Sequence, residues 1–381
     1  MQMQLRCALV MILCAGACGS RAHASVFFSI DARSAGMGGV GVASGVKAAP
    51  LTNPALLGYG VEFVDWYLTL PTYSLVRNDP DKMRDLLADF QESAQALQSS
   101  PDAARAQSTA TALDKLANTQ RVENIARSVF ASIPSNVLGA GVYLNFYQFT
   151  SVRAVAGTSN ITVDPTERVY NTVIEKRGVA VTEHGISLAQ VFTSDFRAFD
   201  TFTVGINPKI VLFEATGASE PVDSADTKVR LKGSRKSAQF NLDVGLFKEL
   251  GRFYSGGLFV RNLIPIKVKY PDAIGGYDML NTQMRGGVSY ERRNRTIEVD
   301  VDLVPNSGIG FEDRSRMLSV GGEYYLTEYL QLRAGLRQNL LGERQSLLTL
   351  GVGIGIDYVL DMAVAGNAGE LDLTAQFTIT F

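Results

Sequence analysis

From about residue 137 to the end of the chain, apolar and polar residues alternate one for one, the period of strands with two unlike faces. In "TIEVDVDLVP", Ile297, Val299, Val301 and Leu303 fall on one face, and Glu298, Asp300 and Asp302 on the other. "YLQLRAGLR" sets Leu330, Leu332, Ala334 and Leu336 against Gln331, Arg333 and Arg337. "FNLDVGL" sets Phe240, Leu242, Val244 and Leu246 against Asn241, Asp243 and Gly245. The closing "LDLTAQFTITF" puts Leu371, Leu373, Ala375, Phe377, Ile379 and Phe381 on one face. Further strands are expected over 61–70, 137–149, 150–157, 179–193, 200–213, 226–238, 252–263, 283–293, 314–326, 345–353 and 355–364, about 14 strands in all. No long helical pattern separates them, so a parallel α/β sheet is not expected.

Alternation alone does not say which face is inside. In a soluble sandwich the apolar faces meet in a core; in a membrane barrel they face lipid and the polar faces line the lumen. Three features favour the membrane. Glu298, Asp300 and Asp302 are matched by Arg285, Arg293, Arg333 and Arg337 on polar faces of nearby strands, which suits a polar interior. Several strands are long enough to cross when tilted. The chain ends on Phe381, with Phe377 and Ile379 on the same face, the pattern read by the barrel-assembly machinery of the outer membrane. The expected fold is therefore all-β, a closed transmembrane antiparallel β-barrel of about 14 strands. Closure is required, because an open edge in hydrocarbon leaves backbone groups unpaired. An even strand count places both termini on the periplasmic side.

Residues 79–130 break the pattern. Asp79 suits an N-cap, Pro80 the first helical position, and Met83, Leu86, Leu87, Phe90, Ala94 and Leu97 then recur at helical spacing. Ser100 and Pro101 restart a second helix with Leu113 and Leu116 on its apolar side, and "RVENIARSVF" extends the helical region. A helical hairpin is expected after the first strand. At the extracellular end it would cover the barrel mouth or meet a partner.

The first residues read as a secretory signal: Arg6, the apolar "CALVMILCAGAC" and the A-x-A site Ala22-His23-Ala24, giving a signal over 1–24. A looser reading lipidates Cys18 within "AGAC". Cleavage after Ala24 removes Cys7, Cys14, Cys18 and His23, leaving no cysteine and one histidine, His184. Disulfides, thiol chemistry and Cys/His zinc sites are then excluded, and no metal or cofactor is expected. His184 in "VTEHGIS" has no nucleophile elbow beside it and reads as a solvated residue on a polar strand face, so no enzyme is expected. With 36 Lys and Arg against 38 Asp and Glu, no basic excess exists to bind nucleic acid.

Between signal and first strand lies "SAGMGGVGVASG", in which Gly36, Gly38, Gly39 and Gly41 fit G-x-G-x-x-G. A dinucleotide turn needs a helix behind it, and Gly45, Pro50, Pro54, Gly58 and Gly60 forbid one. Glu62 is at the spacing of the ribose acid but lies in a strand-like stretch near Trp66 and Tyr67. What remains is a run of small residues suited to close backbone packing. "ARSAGMGGVGVASGVKAAPLTNPALLG", with Asn53-Pro54-Ala55, resembles the mature N-terminus of the FadL-type outer-membrane transporter superfamily. Within it the chain most resembles the TraF barrels of conjugal transfer, through "RSAGMGG", the helical insert, "LQLRAGLRQNL" and the terminal Phe. The thioredoxin-like protein that shares the TraF name is excluded by the missing cysteines.

The resemblance implies a 14-stranded barrel over 61–381 whose segment 25–60 forms a hatch in the lumen, with Gly36, Gly38, Gly39, Gly41, Asn53, Pro54 and Ala55 as its gating residues. It implies an outer-membrane protein of a Gram-negative bacterium, in contact with outer-membrane lipid. It implies passive passage of a hydrophobic small molecule, or an accessory role with conjugation or secretion components. The alternative is a non-transporting outer-membrane scaffold built on the insert.

Overall fold

The computed structural model describes residues 30–45, 47, 49–59, 66–133, 135, 137–193, 201–230, 234–341 and 346–381. The expected signal over 1–24, Cys18, the start of the hatch at residue 25 and Glu62 lie outside the described residues. The described chain opens with two short helices, α1 (Ala32–Gly36) and α2 (Ala49–Thr52), and a 3-10 turn, Pro54–Gly58. Strand β1 (Tyr67–Asn78) leads into α3 (Met83–Ser99) and α4 (Ala103–Leu116). Then follow β2 (Gln120–Ile133), β3 (Gly139–Val155), β4 (Val173–Thr193), β5 (Thr201–Pro221), β6 (Arg235–Glu249) and β7 (Tyr254–Arg261). A small hairpin, β8 (Ile266–Lys269) with β9 (Tyr277–Leu280), precedes β10 (Gln283–Arg292), β11 (Arg295–Asp302), β12 (Met317–Thr327), β13 (Leu330–Asn339), β14 (Leu347–Ile354), β15 (Tyr358–Gly366) and β16 (Glu370–Thr380).

Fourteen of these strands form one closed barrel in sequence order, with β7 paired directly to β10 and β8–β9 standing apart. The seam closes antiparallel between β1 and β16, from Tyr67 opposite Thr380 to Asn78 opposite Glu370. The ring thereby closes without an open edge, as hydrocarbon demands.

The alternation resolves inside out. Leu348 is 69% exposed and Leu350 61%, while Glu298 is 0% and Asp300 1%. Ile297, Val299, Leu332, Leu336, Phe240, Leu246, Leu371 and Leu373 all point outward, and Asn241, Asp243, Asp302 and Arg333 point in. A soluble protein would reverse this arrangement; a lipid-facing belt requires it. At the end holding both strand termini the connections are tight, as at 293–294 and 328–329, whereas the opposite end carries the long ones, 79–119 and 262–282 among them. In the outer-membrane plan the long connections are extracellular.

Four expected boundaries are corrected. Residues 120–130 are strand, not helix: Val122, Asn124, Ala126, Ser128 and Phe130 all face the lumen. Their mixture of small, polar and apolar side chains hides the period of two. Segments 137–149 and 150–157 are one strand, because Thr150 and Ser151 are ordinary residues for a strand with a polar inner face. The strand expected over 226–238 begins only at Arg235. Helix α3 starts at Met83 rather than at Pro80, because Lys82 adopts a left-handed turn; Asp79 still caps it, accepting the Met83 N–H at 2.7 Å. The apolar stripe of α3 (Met83, Leu87, Phe90, Ala94) is buried with Leu113 and Leu116 of α4 against Val152, Ala154 and Ile174 on the outer face of the barrel rim. Burial of a side chain such as Phe90 contributes about 2 kcal/mol.

Candidate functional site

The N-terminal segment lies inside the barrel. Asp31 caps α1, its carboxylate accepting the Ser34 N–H at 2.7 Å. The chain leaves α1 through Gly38 and Gly39, whose φ angles of 78° and 86° are left-handed and favour glycine. This path lays the backbone directly on the wall. A Cβ on Gly38 would sit 2.9 Å from the Leu336 carbonyl oxygen, and one on Gly36 2.9 Å from the Gly351 Cα. The wall is cut back to match: a Cβ on Gly321 of β12 would lie 2.0 Å from the Met37 carbonyl oxygen.

Beyond the glycines the segment meets the inward acids of β11. The Gly41 and Val42 N–H groups donate to one Asp300 oxygen at 2.9 and 3.2 Å, and the Ala43 N–H donates to Glu298 at 2.6 Å. The Ser44 hydroxyl donates to the other Glu298 oxygen. Successive backbone N–H groups facing one way form a nest for an anion. Here the anions belong to the barrel. Arg285 bridges Asp302 at 2.7 Å and the Gly39 carbonyl oxygen at 3.0 Å. Arg33 pairs with Glu323 at 3.0 Å, and Arg333 joins Glu323 at 2.8 Å to Asp361 at 2.5 Å. Burial raises the Asp31 carboxyl above its ordinary range, against the pull of the Ser34 N–H. Burial disfavours the Arg33 charge, but Glu323 outweighs it and holds the guanidinium above its usual value.

The second stretch docks differently. Asn53 accepts the Ala55 N–H at 3.1 Å, and its amide donates to the Val42 carbonyl at 2.7 Å and the Leu246 carbonyl at 3.0 Å. One side chain thus ties both halves of the segment to β6. Pro54 starts the 3-10 turn, and Ala55, Leu56 and Leu57 pack among Tyr67, Phe130, Tyr143, Ala189 and Phe247. Gly205 and Gly245 make the room: a Cβ there would lie 2.2 Å from the Ala55 nitrogen and 2.0 Å from Asn53 Oδ1. Beside this seat the β4–β5 pairing runs to Gly185 opposite Lys209 and resumes at Leu188 opposite Ile206. Pro208 lies in the interval and has no N–H to give the ladder.

A cavity of about 580 Å³ remains at the end with the termini, lined by charged residues such as Arg33, Glu323, Arg333 and Asp361 and by apolar ones such as Leu56 and Val359. At the opposite mouth, Ile266, Val268, Tyr270 and Leu280 of the β8–β9 hairpin pack on inward Phe149, Val181, Val211 and Phe213. Between the two fillings Lys209, fully buried, reaches Glu183 at 2.8 Å and Asp243 at 2.9 Å, and Arg261 reaches Glu183 at 3.1 Å.

A family model described as "F plasmid transfer operon, TraF, protein" matches residues 50–302, well over half of the chain. The chain belongs to the TraF family. Comparison with curated proteins gives no match. Among solved structures, the TraF-family barrel is similar to a TodX deltaS2S3 mutant monoaromatic hydrocarbon channel, with a TM-score of 0.53 and 11% identity over 92% of this chain and 97% of that one. The Pseudomonas putida toluene transporter TodX aligns with a TM-score of 0.46 at 11% identity over 95% and 98% of the two chains. The shared fold is that of a FadL-type barrel, a closed 14-strand antiparallel barrel.

The structure brings Gly36, Gly38, Gly39, Gly41, Asn53, Pro54 and Ala55 together inside the lumen, the first four on β10–β16 and the last three on β5–β6. Phe377, Ile379 and Phe381 lie on the outward face at the seam, where the Phe381 N–H donates to the Trp66 carbonyl at 2.8 Å. Of the expected charge matches, Arg285 pairs with Asp302; Arg333 and Arg337 serve acids of β12, β15 and β16. Glu298 and Asp300 are instead matched by backbone N–H groups. His184 is corrected: it points outward opposite Leu144 and Ile210, and Glu183 beside it takes the polar face. The Lys209–Glu183–Asp243–Arg261 cluster and the inward β8–β9 hairpin were not legible. Single polar residues on four separate strands carry no local signal until the barrel closes.

Proposed function

We propose that this protein is an outer-membrane barrel through which small hydrophobic molecules pass passively, with the N-terminal segment as its hatch. The observation that carries the reading is the interval in the β4–β5 ladder at Pro208, set beside the apolar seat of Ala55, Leu56 and Leu57. The middle of the lumen and the side facing β10–β16 are lined with buried ion pairs, a poor path for an apolar molecule. A sideways route past Ala55 into lipid avoids them. Gly36, Gly38, Gly39, Gly41, Asn53, Pro54 and Ala55 then act as gating residues: Gly36, Gly38, Asn53, Pro54 and Ala55 lie in close contact with wall residues, and Gly39 and Gly41 place the backbone groups that bond Arg285 and Asp300. The TodX channel carries monoaromatic hydrocarbons in its own description, and molecules of that size class are the first to test here. Phe377, Ile379 and Phe381 fit the barrel-assembly machinery, and the outward belt fits outer-membrane lipid. The scaffold reading has less support, since the apolar stripe of the insert is already covered by the barrel rim.

Deletion of residues 25–58 with hydrophobic dye uptake tests the hatch: uptake should rise, and unchanged permeability refutes the reading. Fractionation with boiled and unboiled gel samples tests the membrane placement; recovery as a soluble protein without a heat-dependent shift overturns it. The family description, which names a plasmid transfer operon, favours a link to conjugation. Removing the gene from a donor strain should then lower plasmid transfer frequency.

A further inference from the structure

The first inserted helix, α3, forms one wall of a cationic cleft on the outside of the barrel. The cleft, of about 500 Å³, lies between α3, the connection at 225–229 and the rim ends of β1–β3. Its cations are Arg77, Arg84, Arg121 and Lys228. Arg77 and Arg121 share a single carboxylate, Glu123, at 3.1 and 2.8 Å. Asp79 approaches Arg121 only at 3.8 Å, and Asp226 is engaged by Lys176 at 2.7 Å. Gln91 holds the connection in place by donating to the Ala225 carbonyl at 2.8 Å. Among the described residues Arg84 and Lys228 are exposed and form no ion pair. The cleft thus carries an excess of positive charge on three guanidiniums and one ammonium, the donor set that suits a phosphate group.

Its position names the occupant. Arg77 and Glu123 face outward one step above Leu75 and Ile125, which belong to the lipid belt. One step lower, Arg127 also faces outward, over the Tyr73 ring at 5.7 Å and with no carboxylate partner among the described residues. An arginine on the lipid face is costly unless it reaches an anion at the interface. We propose that this cleft binds the phosphorylated headgroup of an outer-leaflet lipid, whose chains run down the belt below Leu75 and Ile125, and that the helical insert exists in part to wall this site. The inference rests on the outer-membrane placement above.

Purified full-length barrel in detergent is titrated with a bis-phosphorylated acylated glucosamine disaccharide, with the same lipid stripped of phosphate, and with inorganic phosphate, and bound species are counted by native mass spectrometry. The phosphorylated lipid should bind one to one. Neutralising Arg84→Gln with Lys228→Gln should weaken it about thirtyfold, while Arg84→Lys with Lys228→Arg keeps it. The boiled-gel shift of each variant must match the parent, which separates loss of the site from loss of the barrel. Equal binding of the stripped lipid overturns the proposal, as does full competition by millimolar inorganic phosphate, which would assign the cleft to a free anion. A barrel that fails fractionation refutes the membrane reading instead, on a separate measurement.

Discussion

The luminal segment has two halves that hold to the barrel by different physics. From Asp31 to Ser44 it is fixed on β10–β16 by directed polar contacts: backbone N–H groups on Glu298 and Asp300, Arg33 on Glu323, and Arg285 on the Gly39 carbonyl. From Asn53 to Leu57 one directed anchor, the Asn53 amide on the Leu246 carbonyl, holds it to β6, and beyond Asn53 it is fixed by shape, with apolar side chains in an apolar seat and two wall glycines making room. Buried charges on the first side cannot be uncovered without a partner, so release there is steep and sensitive to single side chains. Packing on the second side is non-directional and can slip in small steps. The half beside the β4–β5 interval is therefore the half suited to yield first.

The sharpest way to break this comparison is Glu298→Ala with Asp300→Ala. The Gly41, Val42 and Ala43 N–H groups lose their acceptors inside a protein, and docking of the first half should weaken by about 4 kcal/mol. Hydrogen exchange should speed at 41–43 and leave 55–57 slower; unchanged protection at 41–43 counts against the nest. Next is Gly245→Leu, which drives a side chain into Asn53 and should cost about 2 kcal/mol. Here proteolysis should appear first near 53–59, and cleavage confined to 33–44 would reverse the assignment. Arg33→Met should cost about 1 kcal/mol, since Glu323 keeps Arg333; equal hydrogen exchange of α1 in variant and parent would show the pair to be idle.

The smallest expected effect is a pH dependence from Asp31. Its carboxyl is raised by burial above the ordinary 3.8. The folded state then holds more protons than the released one between 3.8 and the raised value, so docking of α1 weakens as pH rises through that window. Asp31→Asn should flatten this limb of a proteolysis-against-pH curve. A limb of unchanged slope would assign the dependence to another group.

How far the chain could be read in advance varied by element. β11 and β13 were plain, because large apolar residues alternate with full charges and nothing else explains the pattern. β2 was not, because a lumen-facing strand is free to put Asn124, Ala126 and Phe130 on one face. The glycines of 36–41 were legible as a place of close approach, but not as a cradle for Glu298 and Asp300, which lie more than 250 residues away in the chain. The outward turn of His184 followed only from the register of β4, where a shift of one residue exchanges the faces.

By itself the sequence determined most of the strands, their two unlike faces, the helical insert and the small residues of the luminal segment, because these depend on periods of two and 3.6 and on local backbone freedom. It did not decide which carboxylates meet which cations, or that Gly205 of β5 stands against Ala55. Those depend on the ring of strands closing with one register. Only then do residues from distant strands share a dry lumen, where every charge must find its partner.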